Sequence, residues 1–250
     1  MQGTWLSHGH RRKDFPNRDE YNRTLTALPT HSVFIRHAFH LTSPGPDFAW
    51  INLVRDPVER WASMYDWQRS TSYRKYRGHG ATLEADPCQH TESRNFTFEA
   101  CVDALRRDVN ASVRLPSQMK YFCEPDEHCA TRYMCNASAT CTLQQALHTL
   151  HTRYRLVGIT EDFAQSIAAL EWLLPQFFLN ASRWSTTWIH PGHKTAAATK
   201  NHPRIRIPRD SSTYRTLRAR AVNFADEMHF YDSAKQLFRR KMAEILQFAG

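Results

Sequence analysis

The residues best suited to chemistry lie in the segment Phe48 to Arg69, FAWINLVRDPVERWASMYDWQR. Arg55 follows an apolar run of strand length, and Ser63 lies about two turns into the helical pattern that begins after Asp56. A guanidinium and a hydroxyl together suit a phosphate, because arginine can donate two parallel hydrogen bonds to its oxygens. The segment therefore predicts a phosphate site, with a surface ion pair of Arg55 as the plain alternative.

A strand, a tight turn and a helix would position these two side chains. Asp56 can cap the helix, and Pro57 suits its first position, where no N–H group is needed. Arg55 then lies at the carboxyl end of a buried strand, where open α/β sheets bind their ligands. Unpaired N–H groups of the helix start would favour an anion there. We therefore expect the phosphate between the strand end and the side of the helix.

The longer pattern RDPVERWASMY resembles a cofactor-binding segment of Golgi carbohydrate sulfotransferases. In those enzymes the segment binds the 3′-phosphate of 3′-phosphoadenosine 5′-phosphosulfate (PAPS), and it reads Arg-Asp-Pro, then Arg, then Ser and Tyr. The resemblance implies that Arg55 and Ser63 bind this cofactor. It covers the chain from about Phe34 to the C-terminus.

His37 and His40 lie in or just after a strand predicted from Ser32 to Leu41, where a histidine is usually a structural residue. In the heparan sulfate and uronyl 2-O-sulfotransferase family, a His before a small apolar residue precedes the strand that leads to Arg-Asp-Pro. That His is the catalytic base. Arg36-His37-Ala38 matches it, so the resemblance implies that His37 is the base and that Arg36 contacts the substrate. His40 does not match and is structural or substrate-facing.

The resemblance implies further contacts with the cofactor and the substrate. Lys194 and Thr195 lie where the family has a loop that closes over the cofactor, although His193 replaces the family's preceding arginine. A basic stretch after the helix faces the sulfated sugar chain in the family, whereas its plain interpretation is a solvated loop. The implied substrate contacts are Arg74, Lys75 and Arg77.

Length and charge limit the class of protein and the kind of partner. A chain of 250 residues with 41% hydrophobic content can bury a full core in one or two domains. Its formal net charge of +9 favours an anionic partner, and nucleic acid, anionic membrane and acidic polysaccharide fit equally well. No apolar run approaches the roughly 18 residues that span a bilayer, and no signal peptide pattern opens the chain.

Glycosylation triplets indicate a compartment of the secretory pathway. Five N-x-S/T triplets occur, whereas composition alone predicts about one. A lumenal glycoprotein would be separated from nucleic acid, so nucleic acid is the less favoured of the three anionic partners. The acceptors are Asn22, Asn95, Asn110, Asn136 and Asn180.

All six cysteines lie within residues 88–141. The last four are spaced by six, whereas the cysteines of structural zinc sites are normally two to four residues apart, so we expect disulfides and no metal. The segments FTFEACV and MKYFCEPDEHC resemble two Cys-bearing segments of the family, and this implies a bridge from Cys123 to Cys129. The pairing of the other four, Cys88, Cys101, Cys135 and Cys141, stays open.

The C-terminal half carries clear periodic patterns. Tyr154 to Phe178 resembles the family throughout. Arg155 to Ile159 is predicted to be a buried strand, and Thr160 is predicted to cap the following helix. Two amphipathic helices are predicted between Ser211 and Leu246.

The expected fold is an α/β, P-loop-type sulfotransferase domain with a central, largely parallel sheet and flanking helices. We expect one domain over residues 1–250, with a polar arm over 1–30 and a Cys-rich insertion over 88–141. In the family a Pro-Lys-x-x-Ser/Thr-Thr loop binds the 5′-phosphosulfate, and nothing in residues 1–40 resembles it. We therefore expect an N-terminally truncated domain that binds heparin-like polymers and transfers no sulfate by itself.

The implied reaction moves a sulfuryl group from PAPS to the 2-hydroxyl of a uronic acid in heparan sulfate or dermatan/chondroitin sulfate. The partner is then a glycosaminoglycan chain, and a homo-oligomer is compatible with the family. Full-length relatives of this kind are type II membrane proteins of the Golgi lumen, so a membrane anchor is expected upstream. The alternative is a non-catalytic fragment or pseudoenzyme that binds sulfated polysaccharide.

Overall fold

The computed structural model describes seven stretches of the chain, residues 4–6, 18–27, 32–34, 48–69, 97–124, 141–185 and 206–249. These residues form two compact units. The first unit takes its residues from Met1–Val54, Gln118–Trp188 and Phe230–Gly250, and the second from Arg55–Ser117 and Ile189–His229. Each unit is therefore assembled from segments that lie far apart in the sequence.

The described residues form four short strands, nine helices and a 3₁₀ turn. In chain order they are β1 (Thr4–Leu6), α1 (Arg18–Thr26), β2 (Ser32–Phe34), β3 (Trp50–Val54), α2 (Pro57–Arg69), α3 (Phe98–Arg107), a 3₁₀ turn (Met119–Phe122), α4 (Leu143–Thr152), β4 (Tyr154–Ile159), α5 (Phe163–Leu173), α6 (Pro175–Phe178), α7 (Ala181–Ser185), α8 (Ser212–Arg220) and α9 (Phe224–Ala249). Within these elements, no helix is both long enough and apolar enough to cross a membrane.

The strands form two parallel pairs. β1 pairs with β2, and β3 pairs with β4 in a register that sets Val54 opposite Ile159. Parallel strands need long crossover connections, which are typical of α/β proteins. The structure therefore agrees with the predicted α/β class, while the P-loop-type sulfotransferase fold stays a prediction. β2 confirms the start of the strand predicted from Ser32, and residues 35–47 lie outside the described residues.

β3 is less buried than its sequence predicts. Val54 is 1% exposed, whereas the neighbouring Leu53 is 41% exposed. Successive side chains of a strand point to opposite faces, so the two residues belong to different environments. The prediction of a buried strand before Arg55 is correct only at its last residue.

Thr160 does not cap the helix that follows β4. Its backbone N–H and its hydroxyl both donate to the carbonyl oxygen of Val54, at 2.8 and 3.0 Å. α5 begins only at Phe163, after Asp162, whose side chain makes no capping bond. The predicted cap is wrong because Thr160 instead extends the pairing between β3 and β4 beyond the strand end.

A glycine lets α5 approach β4 closely. A Cβ placed on Gly158 would lie 2.8 Å from the Cβ of Ser166 and 2.6 Å from Cδ2 of Leu53. Ser166 is fully buried, and its hydroxyl oxygen accepts a hydrogen bond from the N–H of Ile159 at 2.9 Å. This contact fixes the helix against the strand within the first unit.

Aromatic side chains and a disulfide join the 3₁₀ turn to the rest of the first unit. The ring of Phe122 lies 4.5 Å from that of Tyr154 and 4.7 Å from that of Phe230, measured between centroids. Cys123 is bonded to Cys141, with 5.7 Å between their Cα atoms. The predicted bridge from Cys123 to Cys129 is therefore wrong. Cys141 directly precedes Thr142, the N-cap of α4, and α4 packs against the turn that carries Cys123.

The described cysteines agree with the disulfide interpretation. Cys101, Cys123 and Cys141 are all disulfide-bonded, and Cys101 pairs with a cysteine outside the described residues. Within the described ranges, no three His, Cys, Asp or Glu side chains form a group that could hold a metal ion.

The second unit has a helical core of its own. Trp61 packs edge-on against Phe98 with 5.2 Å between ring centroids, and Leu217 is fully buried in the same cluster. The side-chain amide of Asn223 exchanges hydrogen bonds with the backbone of Leu115, at 2.8 and 3.0 Å. These contacts join α2, α3 and α8 with the segment around residue 115.

The two predicted C-terminal helices are confirmed as α8 and α9. Ser211 caps α8, accepting a hydrogen bond from the N–H of Tyr214 at 3.2 Å. Apolar side chains of both helices are buried, which assigns the helices to core packing. Leu217 and Phe224 are buried in the second unit, and Phe238 and Ile245 are buried in the first.

Candidate anion site

The start of α2 is organised by one carboxylate. Oδ1 of Asp56 accepts hydrogen bonds from the N–H groups of Val58 and Glu59, at 3.0 and 3.3 Å. The carbonyl oxygen of Asp56 accepts from the N–H of Arg60 at 2.8 Å. Pro57 is the first helical residue. The sequence prediction of an Asp56 cap followed by Pro57 is therefore confirmed.

The same geometry overturns one part of the predicted site. We expected unpaired N–H groups of the helix start to attract an anion. Pro57 has no N–H, and the next two N–H groups donate to Asp56. The first turn is thus satisfied by the protein itself, so an anion here must be bound by side chains.

Arg55 presents a guanidinium at this helix start. Its side chain is 19% exposed, and Nη2 lies 3.6 Å from Oε2 of Glu59, one turn further along the chain. The ion pair that formed the plain alternative is therefore present. A guanidinium has five N–H donors, so a contact with one carboxylate is compatible with a second contact with phosphate. The contact with Glu59 helps to fix the position of the Arg55 side chain.

Ser63 offers a hydroxyl on the side of the helix. It is partly exposed, and the described residues include no hydrogen bond of its hydroxyl. It lies six residues beyond Pro57, about 9 Å along the axis at a rise of 1.5 Å per residue. Only a ligand that lies along the helix flank can therefore contact both Arg55 and Ser63.

The sequence analysis did not identify two partners of Asp56 that lie in a distant segment of the chain. The hydroxyl of Tyr214 donates to Oδ2 of Asp56 at 2.5 Å, and Nη2 of Arg209 lies 3.5 Å from the same oxygen. We call Arg55, Asp56, Glu59, Arg209 and Tyr214 the helix-start cluster. Asp56 and Tyr214 are 158 residues apart in the sequence, so no local spacing could reveal the cluster. The sequence contained one chemical indication of these partners. Asp56 and Glu59 follow Arg55 closely, and buried carboxylates need hydrogen-bond donors from elsewhere in the chain.

The remaining predicted site residues lie outside the described residues. They stay predictions: His37 as base, Lys194 and Thr195 on the cofactor, and a set of substrate contacts. That set is Arg36, Arg74, Lys75 and Arg77.

Three of the five glycosylation acceptors are described, and they differ in access. Asn110 and Asn180 are exposed in turns, and Asn180 has a left-handed backbone with φ of 64°. Asn22 lies within α1, and its side-chain Oδ1 is buried. Asn95 and Asn136 lie outside the described residues.

The turn at Asn180 is held by Glu171. Oε2 of Glu171 accepts hydrogen bonds from the hydroxyl and from the backbone N–H of Ser182, and Oε1 accepts from the N–H of Asn180. The hydrogen bonds from Ser182, the hydroxyl's first, hold the pKa of the Glu171 carboxyl below its ordinary value. The acceptor triplet is thus folded around a charged carboxylate.

Comparison with known proteins finds that parts of this chain are similar to curated sulfotransferases. The chain is 32% identical to heparan sulfate 2-O-sulfotransferase 1 of Gallus gallus over 133 residues, which is 53% of this chain and 33% of that protein. It is 30% identical to the protein of the same name in Homo sapiens, with the same coverage. It is 28% identical to the uronyl 2-sulfotransferase homolog pip of Drosophila melanogaster over 217 residues, which is 82% of this chain and 39% of that protein. No protein-family model matches the chain.

These relatives confirm the resemblance found in the sequence. The chain is related to sulfotransferases, and specifically to those named for transfer to the 2-position of heparan sulfate or uronyl groups. It spans between a third and two fifths of the length of the curated relatives it matches.

Proposed function

We propose that this protein is a 2-O-sulfotransferase that moves a sulfuryl group from PAPS to the 2-hydroxyl of a uronic acid in a glycosaminoglycan. The observation that carries the proposal is the arginine at the start of α2, in a chain related to heparan sulfate and uronyl 2-O-sulfotransferases. Both heparan sulfate and dermatan/chondroitin sulfate are candidate acceptors. A net charge of +9 suits either polyanion.

In this proposal the residues of α2 bind the nucleotide. Arg55 contacts the 3′-phosphate by charge-assisted hydrogen bonds, and Ser63 donates its hydroxyl to a phosphate oxygen from the helix flank. Both side chains are partly exposed and therefore fit an external ligand. Lys194 and Thr195 close over the same cofactor.

The transfer itself requires a base on the acceptor side. PAPS supplies an activated sulfuryl group on a phosphate leaving group. His37 accepts the proton of the 2-hydroxyl as the new S–O bond forms and the S–O bond to the phosphate breaks, which releases 3′,5′-adenosine bisphosphate. A general base of this kind contributes about 10²- to 10⁴-fold to a rate. Arg36, Arg74, Lys75 and Arg77 bind sulfate and carboxylate groups of the sugar chain.

The proposed setting is the Golgi lumen. The excess of glycosylation triplets and the disulfides at Cys101, Cys123 and Cys141 are typical of a protein of the secretory pathway. PAPS and the polysaccharide would be encountered there.

Binding of 3′,5′-adenosine bisphosphate tests the nucleotide site. Calorimetric titration of Arg55→Ala should show affinity about 10- to 150-fold lower, since a hydrogen bond to a charged group contributes about 1.5 to 3 kcal/mol. Arg239→Ala is the matched control, because Arg239 is an exposed arginine on α9. Equal affinities of the Arg55→Ala variant and the unaltered protein would contradict the assignment.

The position of transfer is tested on chemically desulfated polymers. In a form of the protein that carries an upstream loop for the 5′-phosphosulfate, sulfate from labelled PAPS should enter 2-O-desulfated heparin and dermatan. Disaccharide analysis should find it on the 2-position of the uronic acid. Label confined to the 6-position of the amino sugar would contradict the proposed reaction.

A further inference from the structure

The ends of α3 and α8 lie side by side on the surface of the second unit. Nε of Arg106, in the last turn of α3, donates to the hydroxyl oxygen of Thr216 on α8 at 3.3 Å. Nη1 of Arg220, at the end of α8, donates to the carbonyl oxygen of Val109, which follows α3, at 2.5 Å. These two contacts bring arginines from both helices onto one surface.

Five arginines make up this surface. α8 contains three arginines and no acidic residue, and the last turn of α3 contributes two more. We call it the α3–α8 arginine surface, and its members are Arg106, Arg107, Arg215, Arg218 and Arg220.

The acids near the end of α3 neutralise only part of this charge. Oδ1 of Asp103 lies 3.0 Å from Nη1 of Arg106, so this arginine has an ion pair within its own helix. Oδ1 of Asp108 instead accepts a hydrogen bond from the N–H of Asn110 at 2.9 Å.

Arg215 and Arg218 are the members best suited to an external anion. Both are exposed, and within the described part of the chain neither guanidinium has an ion-pair or hydrogen-bond partner. Residues three apart are neighbours on a helix surface, where like charges repel each other. An anion bound to both arginines offsets this repulsion.

The plain alternative is that these arginines only stabilise the helix ends. Cations suit the negative end of a helix dipole, which accounts for Arg106 and Arg107 on α3 and for Arg218 and Arg220 on α8. It does not account for Arg215, which lies in the first half of α8, where the dipole does not favour a cation.

We propose that the α3–α8 arginine surface binds a sulfated polysaccharide chain, through residues other than the predicted substrate contacts. A guanidinium donates parallel hydrogen bonds to the oxygens of phosphate or carboxylate, and a sulfate group presents a similar set of oxygens. A polymer that repeats such groups contacts several arginines at once, and each further contact forms at a high effective concentration. The choice of polymer rests on the proposed function.

A glycosylation acceptor beside this surface favours polysaccharide over nucleic acid. Asn110 is exposed in the turn that follows α3, next to Val109. Its N-x-S triplet is typical of a lumenal protein, and a lumenal surface does not meet nucleic acid. Sulfated polysaccharide is then the polyanion that fits both the charge and the compartment.

The salt dependence of heparin binding tests the surface. In Arg215→Gln combined with Arg218→Gln, the slope of log affinity against log salt should become shallower by about two, since each arginine that contacts a polyanion contributes roughly one. Arg239→Gln with Arg240→Gln is the matched control, because it removes the same charge from exposed arginines of α9. Its slope should equal that of the unaltered protein. Equal slopes of the two double variants would overturn the inference.

Competing polymers identify the occupant. The protein is tested with its N-glycans trimmed to single sugars, so that a glycan on Asn110 does not cover the surface. Heparin should bind more tightly than hyaluronan, which has carboxylates but no sulfate, and more tightly than duplex DNA of similar length. Equal binding of hyaluronan and heparin would overturn the inference. So would tighter binding of DNA that is lost in the Arg215 and Arg218 double variant, because it assigns the surface to nucleic acid.

Titration with 3′,5′-adenosine bisphosphate separates this inference from the proposed function. The Arg215 and Arg218 double variant should bind the nucleotide as the unaltered protein does. If Arg55→Ala leaves nucleotide affinity unchanged, the proposed nucleotide site fails, while the heparin slopes still decide the arginine surface. If the heparin slopes are equal and Arg55→Ala weakens nucleotide binding, the inference fails and the proposed function stands.

Discussion

Asp56 shows how one side chain changes the chemistry available at a helix start. Its carboxylate satisfies the N–H groups that would otherwise attract an anion, and it does so while buried. In the proposed site, affinity for a phosphate would then depend on the side chains of Arg55 and Ser63. A planar guanidinium and an ammonium differ in such a site, so Arg55→Lys would not be a neutral change.

His37 carries the clearest prediction at the residue scale. In a preparation that transfers sulfate, His37→Ala should lower kcat about 10²- to 10⁴-fold and leave the affinity for 3′,5′-adenosine bisphosphate nearly unchanged, as expected of a base that acts in the transition state. His40→Ala is the matched control and should keep most of the rate. Full activity of His37→Ala would assign this histidine a structural role.

Glu171 predicts a pH-dependent contribution to stability. Because its pKa is lowered in the folded protein, its contribution is present above the ordinary glutamate value of about 4.3 and is lost as the pH falls through the folded value. Glu171→Gln should therefore reduce the free energy of unfolding at pH 7, and this reduction should become smaller as the pH falls below about 4.3. Denaturant titrations across this range measure the difference between the two proteins.

Glu99→Gln, at an exposed helix position, controls for the general loss of a carboxylate. If the free energies of unfolding of the unaltered protein and Glu171→Gln differ by the same amount at every pH, the stabilisation by Ser182 does not depend on the charge of the Glu171 carboxylate.

At the scale of elements, the sequence predicted those helix and strand limits that are set by neighbouring residues in the chain. The start of α2 after Asp56, the strand that ends at Ile159 and the helices between Ser211 and Leu246 all follow from local propensity, capping chemistry and periodicity. Thr160 fits the same local rules but bonds to Val54, more than 100 residues away. A local pattern cannot show which of two partners a hydroxyl will choose.

The candidate site was predictable to the same limited extent. Arg55 and Ser63 could be selected because they lie on one short segment with a recognisable pattern. Tyr214, Arg209 and Ile207 could not, because their contacts with that segment form only in the folded second unit. The predicted pairing of Cys123 was wrong for the same reason. The partner of Cys123 depends on the packing of α4 against the 3₁₀ turn, which brings Cys141 close.

Gly158 carries a prediction about the packing of α5 on β4. Gly158→Ala should lower the free energy of unfolding by about 1 to 3 kcal/mol, because its new methyl group overlaps the Cβ of Ser166 and the end of Leu53. Urea unfolding measures the change. Adding Leu53→Ala should restore only part of the loss, since the contact with the helix remains. Complete rescue by Leu53→Ala would show that α5 can move.

At the scale of the whole molecule, the disulfides carry the main prediction. Mass spectrometry of secreted protein should show all six cysteines oxidised, with Cys123 joined to Cys141. Replacing both by Ser should lower the free energy of unfolding by about 3 kcal/mol, the loop-entropy value for a loop of this size. Peptides that join Cys123 to Cys129, free thiols or stoichiometric zinc would contradict this assignment.

The bond between Cys123 and Cys141 also has a topological consequence. Together with the backbone it closes a covalent ring, so a protease that cuts once between these residues opens the ring without dividing the chain into two molecules. Insertions or substitutions within residues 124–140 likewise leave the 3₁₀ turn tethered to α4. Apart from Cys129 and Cys135, this part of the sequence can therefore diverge between relatives, or be nicked during secretion, while the first unit keeps its covalent connection.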